Sequence, residues 1–140
     1  MTVAGSPSNA GDYALVLKCS DGVNTDVTSG LNVKIVANLD PVLVDPPQDA
    51  EAIVGIAFTH QLPAIMFTDP EGDSITITIT ADKGSLPTFI SFDLGTLTLS
   101  GTPGKYDAGK HSLKATGSDA SDASTDATFF VTVIGKISFS

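Results

Sequence analysis

Three carboxylates fall within five residues at Asp69, Glu71 and Asp73, inside the stretch Phe67-Thr68-Asp69-Pro70-Glu71-Gly72-Asp73. Acids at this density suit two tasks. Their oxygens are hard donors of the kind that hold calcium, and aspartates beside proline and glycine also fix tight turns by accepting backbone N–H groups. The stretch leads into Ser74-Ile75-Thr76-Ile77-Thr78-Ile79-Thr80. Strict alternation over that length predicts a β-strand with isoleucine on one face and threonine on the other. The acidic loop therefore stands at the mouth of a strand, either as a well-formed turn or as a cation site.

Other reactive side chains do not gather. His60 and His111 are isolated, with no cysteine or acid at metal-ligand spacing. His111 falls at an inward strand position, which predicts a residue at the edge of the core. Cys19 is the only cysteine, so an intrachain disulfide and a cysteine-based zinc site are excluded. Leu15 and Leu17 share its face, and a buried thiol is expected. No nucleophile elbow, phosphate-cradling glycine loop or paired acid–base site is recognisable. The expectation is no catalytic residue, no enzyme and no organic cofactor.

Composition narrows the partners. The formal charge is −9 and all seven basic residues are lysine. That surplus of acid argues against nucleic acid, which needs a basic footprint, and suits calcium, high salt or simple solubility. No stretch is long and apolar enough to insert in a membrane, and the first residues do not resemble a signal peptide. Thr76, Thr78, Thr80, Thr96, Thr98 and Ser100 form outward hydroxyl rows, ordinary for a solvated sheet and also a conceivable sugar-carrying or ligand-binding face. No Asn-X-Ser/Thr sequon occurs.

The elements that must position these residues are strands. Helix-period patterns are absent, and short alternating segments recur between Gly, Pro, Asn and Asp, the signature of an all-β sandwich or barrel. Strands are predicted near Thr2–Ala4, Tyr13–Ser20, Leu31–Val36, Val42–Val44, Ile53–Gln61, Ser74–Thr80, Ile90–Phe92, Thr96–Leu99, His111–Ser118 and Thr128–Ile134. Those between Pro41 and Ile134 number about seven, enough for one two-sheet sandwich.

An internal repeat sets the organisation. Ala10-Gly11-Asp12-Tyr13-Ala14-Leu15 runs parallel to Ala108-Gly109-Lys110-His111-Ser112-Leu113, a register of 98 residues. The same register pairs Ser20-Asp21 with Ser118-Asp119 and Val33 with Val131. Residues 1–37 are thus expected to be the C-terminal third of one repeat, 38–134 a whole repeat, and 135–140 a strand-like tail. About three strands cannot bury a stable core by themselves. The first segment must be completed by upstream sequence, by another chain or by a donated strand. The tail reads as an extension of the last strand, or as a strand for a neighbour's open edge.

At this point the residues resemble a family. Asn38-Leu39-Asp40-Pro41-Val42, Val54-Gly55-Ile56-Ala57-Phe58, the acidic stretch from Phe67 to Asp73, and Leu86-Pro87 stand in its order. Ile90-Ser91-Phe92-Asp93, Leu99-Ser100-Gly101-Thr102-Pro103, Ala108-Gly109, Ser118-Asp119 and Phe129-Phe130-Val131-Thr132-Val133 follow. Together they resemble the dystroglycan-type cadherin-like domain, also catalogued as a putative immunoglobulin-like domain, in tandem copies. The resemblance implies an immunoglobulin/cadherin-like Greek-key β-sandwich on an extracellular or cell-surface protein. It also implies calcium at the junction of repeats, with Asn38, Asp40, Asp69, Glu71, Asp73 and Asp119 as metal ligands. Glu71 stands where an aspartate is usual.

The function expected is a non-catalytic structural or adhesion repeat that spaces and stiffens a tandem array or fibre. Its partners would be neighbouring repeats or identical protomers, joined head-to-tail by strand exchange, with calcium at the joints. The alternative is a carbohydrate- or protein-ligand-binding sandwich. No tryptophan is present, and Tyr13 and Tyr106 are the only tyrosines, which disfavours sugar stacking.

Overall fold

The computed structural model describes residues 2 and 4–137. The chain divides into two compact units, Met1–Asn38 and Leu39–Ser140.

The first unit is a hairpin of β1 (Gly11–Cys19) and β2 (Val27–Ile35), antiparallel from Gly11↔Ile35 to Cys19↔Val27. The acid at its turn explains the reversal. Asp21 Oδ1 accepts the N–H groups of Val23 (3.0 Å) and Asn24 (2.8 Å), and Oδ2 accepts the Asn24 amide (2.7 Å). These donors, the Asn24 N–H foremost, pull the Asp21 carboxyl down to about 2.

The second unit contains β3 (Val42–Leu43), β4 (Ala50–Ile53), β5 (Phe58–Gln61), β6 (Phe67–Thr68), β7 (Thr76–Ala81), β8 (Ile90–Asp93), β9 (Thr98–Gly101), β10 (Gly109–Ser118) and β11 (Ser124–Ile134). One sheet has the order β4-β11-β10-β7 and the other β5-β9-β8, with β3 and β6 forming a small pair. Every pairing is antiparallel except β4 on β11, which is parallel. The inward residues of both sheets share one core. Leu113, Ala115, Phe129, Val131 and Ile79 of the first sheet join Leu99 and Ile90 of the second, with Leu62 and Met66 from the loops. Alternation produces this directly: β7 buries or half-buries its isoleucines and turns Thr76 and Thr78 to solvent. The result is the expected all-β, immunoglobulin-like sandwich.

Several expected elements differ. The strand read over Ile53–Gln61 is two, because the chain turns at Gly55, whose φ of 77° suits glycine. β4 joins one sheet and β5 the other, so a single apolar run crosses between layers. The two-residue β6 is too short to show a period, and β9 begins two residues later than expected, after Leu97 at φ 51°. Thr2 and Ala4 lie in no strand, and Val3 is outside the described residues. The tail is likewise no strand over 135–137, and 138–140 lie outside the described residues. The last bond to β4 is Val54 N–H to the Ile134 carbonyl (3.0 Å); beyond it β4's chain turns away at Gly55, leaving 135–137 no strand to pair with.

Cys19 is exposed rather than buried. Its neighbours on that face, Leu15 and Leu17, are exposed as well, because the hairpin has no second sheet over them among the described residues.

Candidate functional site

The acidic loop closes on itself. Asp69 Oδ1 accepts the N–H groups of Glu71 (2.8 Å) and Asp73 (3.0 Å), and the Gly72 N–H donates to the Asp69 carbonyl (3.1 Å). Gly72 takes φ 84°, the left-handed conformation such a turn requires. Glu71 points its carboxylate elsewhere: Oε2 accepts the N–H of Leu39 (3.0 Å), in the linker that precedes the domain. The glutamate side chain thus reaches the incoming chain.

Two further contacts hold that chain at the same end. The Thr125 hydroxyl donates to the Pro41 carbonyl, and Val42 pairs with Thr68. Asp40 is exposed and flanked by these anchored residues. Phe67, one step before Thr68, lies against Gly117 on β10; a Cβ at 117 would come within 2.6 Å of its ring. β10 then ends at Ser118, and Asp119 follows, 7% exposed, with Oδ1 accepting the N–H groups of Ser121 (2.7 Å) and Ala123 (3.0 Å). The linker, the acidic loop and the β10–β11 turn are therefore gathered at one end of the sandwich. Asp40, Asp69, Glu71, Asp73 and Asp119 all belong to that end, while Asn38 is the last residue of the first unit.

The carboxylates are gathered by region, not into one cage. Among the described residues no three His, Cys, Asp or Glu side chains sit together closely enough to hold a metal ion. Asp69 Oδ1 and Asp119 Oδ1 serve their own loops, and Glu71 serves the linker. One oxygen stands apart. Asp69 Oδ2 is buried and has no hydrogen-bond partner, a costly state for a carboxylate oxygen.

The contacts that build this end were not visible as motifs. Gly117 interrupts the inward row of Leu113 and Ala115, a signal that something bulky approaches the backbone there. Thr125 to Pro41 and Glu71 to Leu39 span 84 and 32 residues and leave no local pattern. Both histidines are held by carbonyls: His60 Nε2 lies 2.9 Å from the Gln48 oxygen, and His111 Nε2 lies 2.7 Å from that of Asp107. His111 is half-buried, its ring edge-on to Phe89 at 5.1 Å.

A family model described as "Putative Ig domain" (He_PIG) matches residues 40–134, and the chain belongs to that family. No curated protein matches it. Among solved structures it is similar to an endo-fucoidan hydrolase of glycoside hydrolase family 107, at 27% identity and TM-score 0.55, over 91% of this chain. It also resembles a nucleoside hydrolase-related hypothetical protein from Saccharophagus degradans associated with carbohydrate metabolism, at 19% identity and TM-score 0.50, over 70% of this chain. The chain spans 19% of the first of these proteins and 26% of the second.

Proposed function

We propose that this chain is a non-catalytic spacer from a tandem immunoglobulin-like array, of the dystroglycan-type cadherin-like kind, in an extracellular or cell-surface protein. The observation that carries the reading is the repetition in three dimensions. β1 pairs with β2 in the register Gly11↔Ile35 and Tyr13↔Val33, and β10 pairs with β11 as Gly109↔Val133 and His111↔Val131. Every partner is displaced by the same 98 residues. Gly11 and Gly109 both take positive φ, the Tyr13 hydroxyl and His111 Nε2 each bond the carbonyl four residues back, and Asp21 and Asp119 each cap the N–H two residues on.

Calcium at the linker end is part of the proposal. Asp69 Oδ2 supplies the reason, since an ion would give that oxygen the partner it lacks. Asp40, Glu71, Asp73 and Asp119 are the other acids of that end, and Asn38 completes the set at the junction. Calcium takes six to eight oxygens, and the carboxylates already engaged by backbone N–H groups predict weak binding that needs waters. A bound ion would neutralise the acidic junction and convert a hinge into a strut. Calorimetric titration to millimolar calcium is expected to give heat and a raised melting temperature, both lost in Asp69→Asn. Absence of heat in the native chain removes the ion and leaves the spacer.

A second reading is favoured by the endo-fucoidan hydrolase similarity, which covers most of this chain. On that reading the repeat is an accessory module of a polysaccharide-acting protein and contacts carbohydrate itself. Affinity electrophoresis in fucoidan-containing gels separates the two: retardation supports the module, and unchanged mobility supports the spacer.

A further inference from the structure

The first unit presents a sheet face with the composition of a core. In the second unit the matching face of β10 and β11 is the centre of the sandwich: Leu113 is 0% exposed and Phe129 1%. Their counterparts 98 residues earlier, Leu15 and Leu31, are 41% and 49% exposed. Leu17, Val33 and Ile35 continue the face, matching Ala115, Val131 and Val133. A cleft of about 540 Å³ lies between this face and the segment from Ala4 to Pro7. Both outer edges are open too. β10 carries β7 along Leu113–Ser118, and β11 carries β4 along Val131–Ile134, whereas β1 and β2 pair only with each other among the described residues.

We infer that this face docks the remaining strands of a second immunoglobulin-like sandwich, supplied by the same polypeptide ahead of Ala10. What covers the equivalent face is visible in the second unit, and it arrives from residues immediately before Ala108. The occupant has a stated form. It brings one strand antiparallel to β1 along Leu15–Ser20 and one parallel to β2 along Val33–Val36. It also brings an opposing sheet whose inward residues play the parts of Ile90 and Leu99. One side chain must differ. Cys19 occupies the position of Gly117, where Phe67 leaves no room for a Cβ. The residue facing Cys19 is therefore smaller than phenylalanine, and Cys19 is buried in the completed domain.

This inference rests on the repeat reading above; its test reads Cys19 protection and not calcium binding, so it stands or falls apart from the ion. Residues 39–107 are copied ahead of residues 10–140, once unchanged and once with Phe67→Ala in the copy. In the native chain Cys19 should react with a thiol reagent at the rate of an open cysteine, and sedimentation should show a monomer. In the alanine chimera the rate should fall about tenfold or more, with slowed amide exchange at Leu15 and Leu31. The phenylalanine chimera should protect Cys19 less. Leu31→Asp in the alanine chimera should restore reactivity. Cys19 remaining open in both chimeras overturns the inference. So does a native dimer that protects Cys19, which would assign the face to a second copy.

Discussion

Asp69 shows how one carboxylate divides its labour. Oδ1 holds the loop shut through two N–H groups, while Oδ2 is buried without a partner. Removing the side chain releases both N–H groups. Asp69→Ala is therefore expected to cost about 1–2 kcal/mol of stability in denaturant melts. Asp69→Asn keeps an acceptor for the loop and should cost less. Gly117 makes the opposite demand, since it is absence of a side chain that counts. A methyl there would strike the ring of Phe67, the buried first residue of β6. Gly117→Ala should destabilise by about 1–3 kcal/mol, and the double variant with Phe67→Leu should recover part of the loss in the same melts.

Among the elements, the β10–β11 hairpin carries the core and one titratable cross-strand group. Asp126 accepts the Thr116 hydroxyl and pairs with Lys114 at 3.1 Å. The Thr116 bond foremost holds its carboxyl below the ordinary range; burial opposes it, and the Lys114 hydrogen bond and charge add to the lowering. A lowered carboxylate favours the fold above its unfolded value of about 3.9 and loses that contribution as pH falls through the folded value. The melting temperature of Asp126→Asn should therefore lie below the native value at neutral pH. The gap should close as the scan is repeated below about pH 4. The elements also mark what could be read in advance. Although β7 starts two residues later than expected and β11 four residues earlier, at Ser124, both alternate against one core and were legible as strands. The crossing at Gly55 was not, because Val54-Gly55-Ile56-Ala57-Phe58 is apolar on both sides of the turn. Hydrophobic pattern records burial but not which sheet receives it. The loop-capping role of the acids was visible in their Pro-Glu-Gly setting. The reach of Glu71 to Leu39 depended on how the linker folds back, which no local spacing encodes.

For the molecule as a whole, the hairpins β1–β2 and β10–β11 stand in different circumstances. The second is enclosed by seven further strands; among the described residues the first is held by its own ladder, by local bonds such as the Asp21 cap and Tyr13 to the Asn9 carbonyl, and by the Lys18–Asp26 ion pair. An isolated two-stranded hairpin is marginal in water. Hydrogen exchange should show it: amides of β1 and β2 should exchange rapidly, while those of Leu113, Phe129 and Val131 persist to the limit set by global unfolding. The buried thiol expected at Cys19 was misjudged for this reason. Its leucine neighbours follow the pattern of an inward face, but among the described residues no second sheet covers that face.

The parallel pairing of β4 with β11 bears on how such a repeat carries tension. Ala50–Ile53 lies near the start of the domain and Val131–Ile134 at its end, side by side and pointing the same way. A pull applied through the two ends drives these strands past each other along their length. Their hydrogen bonds, closed by that from Val54 to the Ile134 carbonyl, must then yield together rather than one after another. A short patch of edge pairing thus becomes a clamp loaded in shear, guarding a core that would otherwise unzip strand by strand.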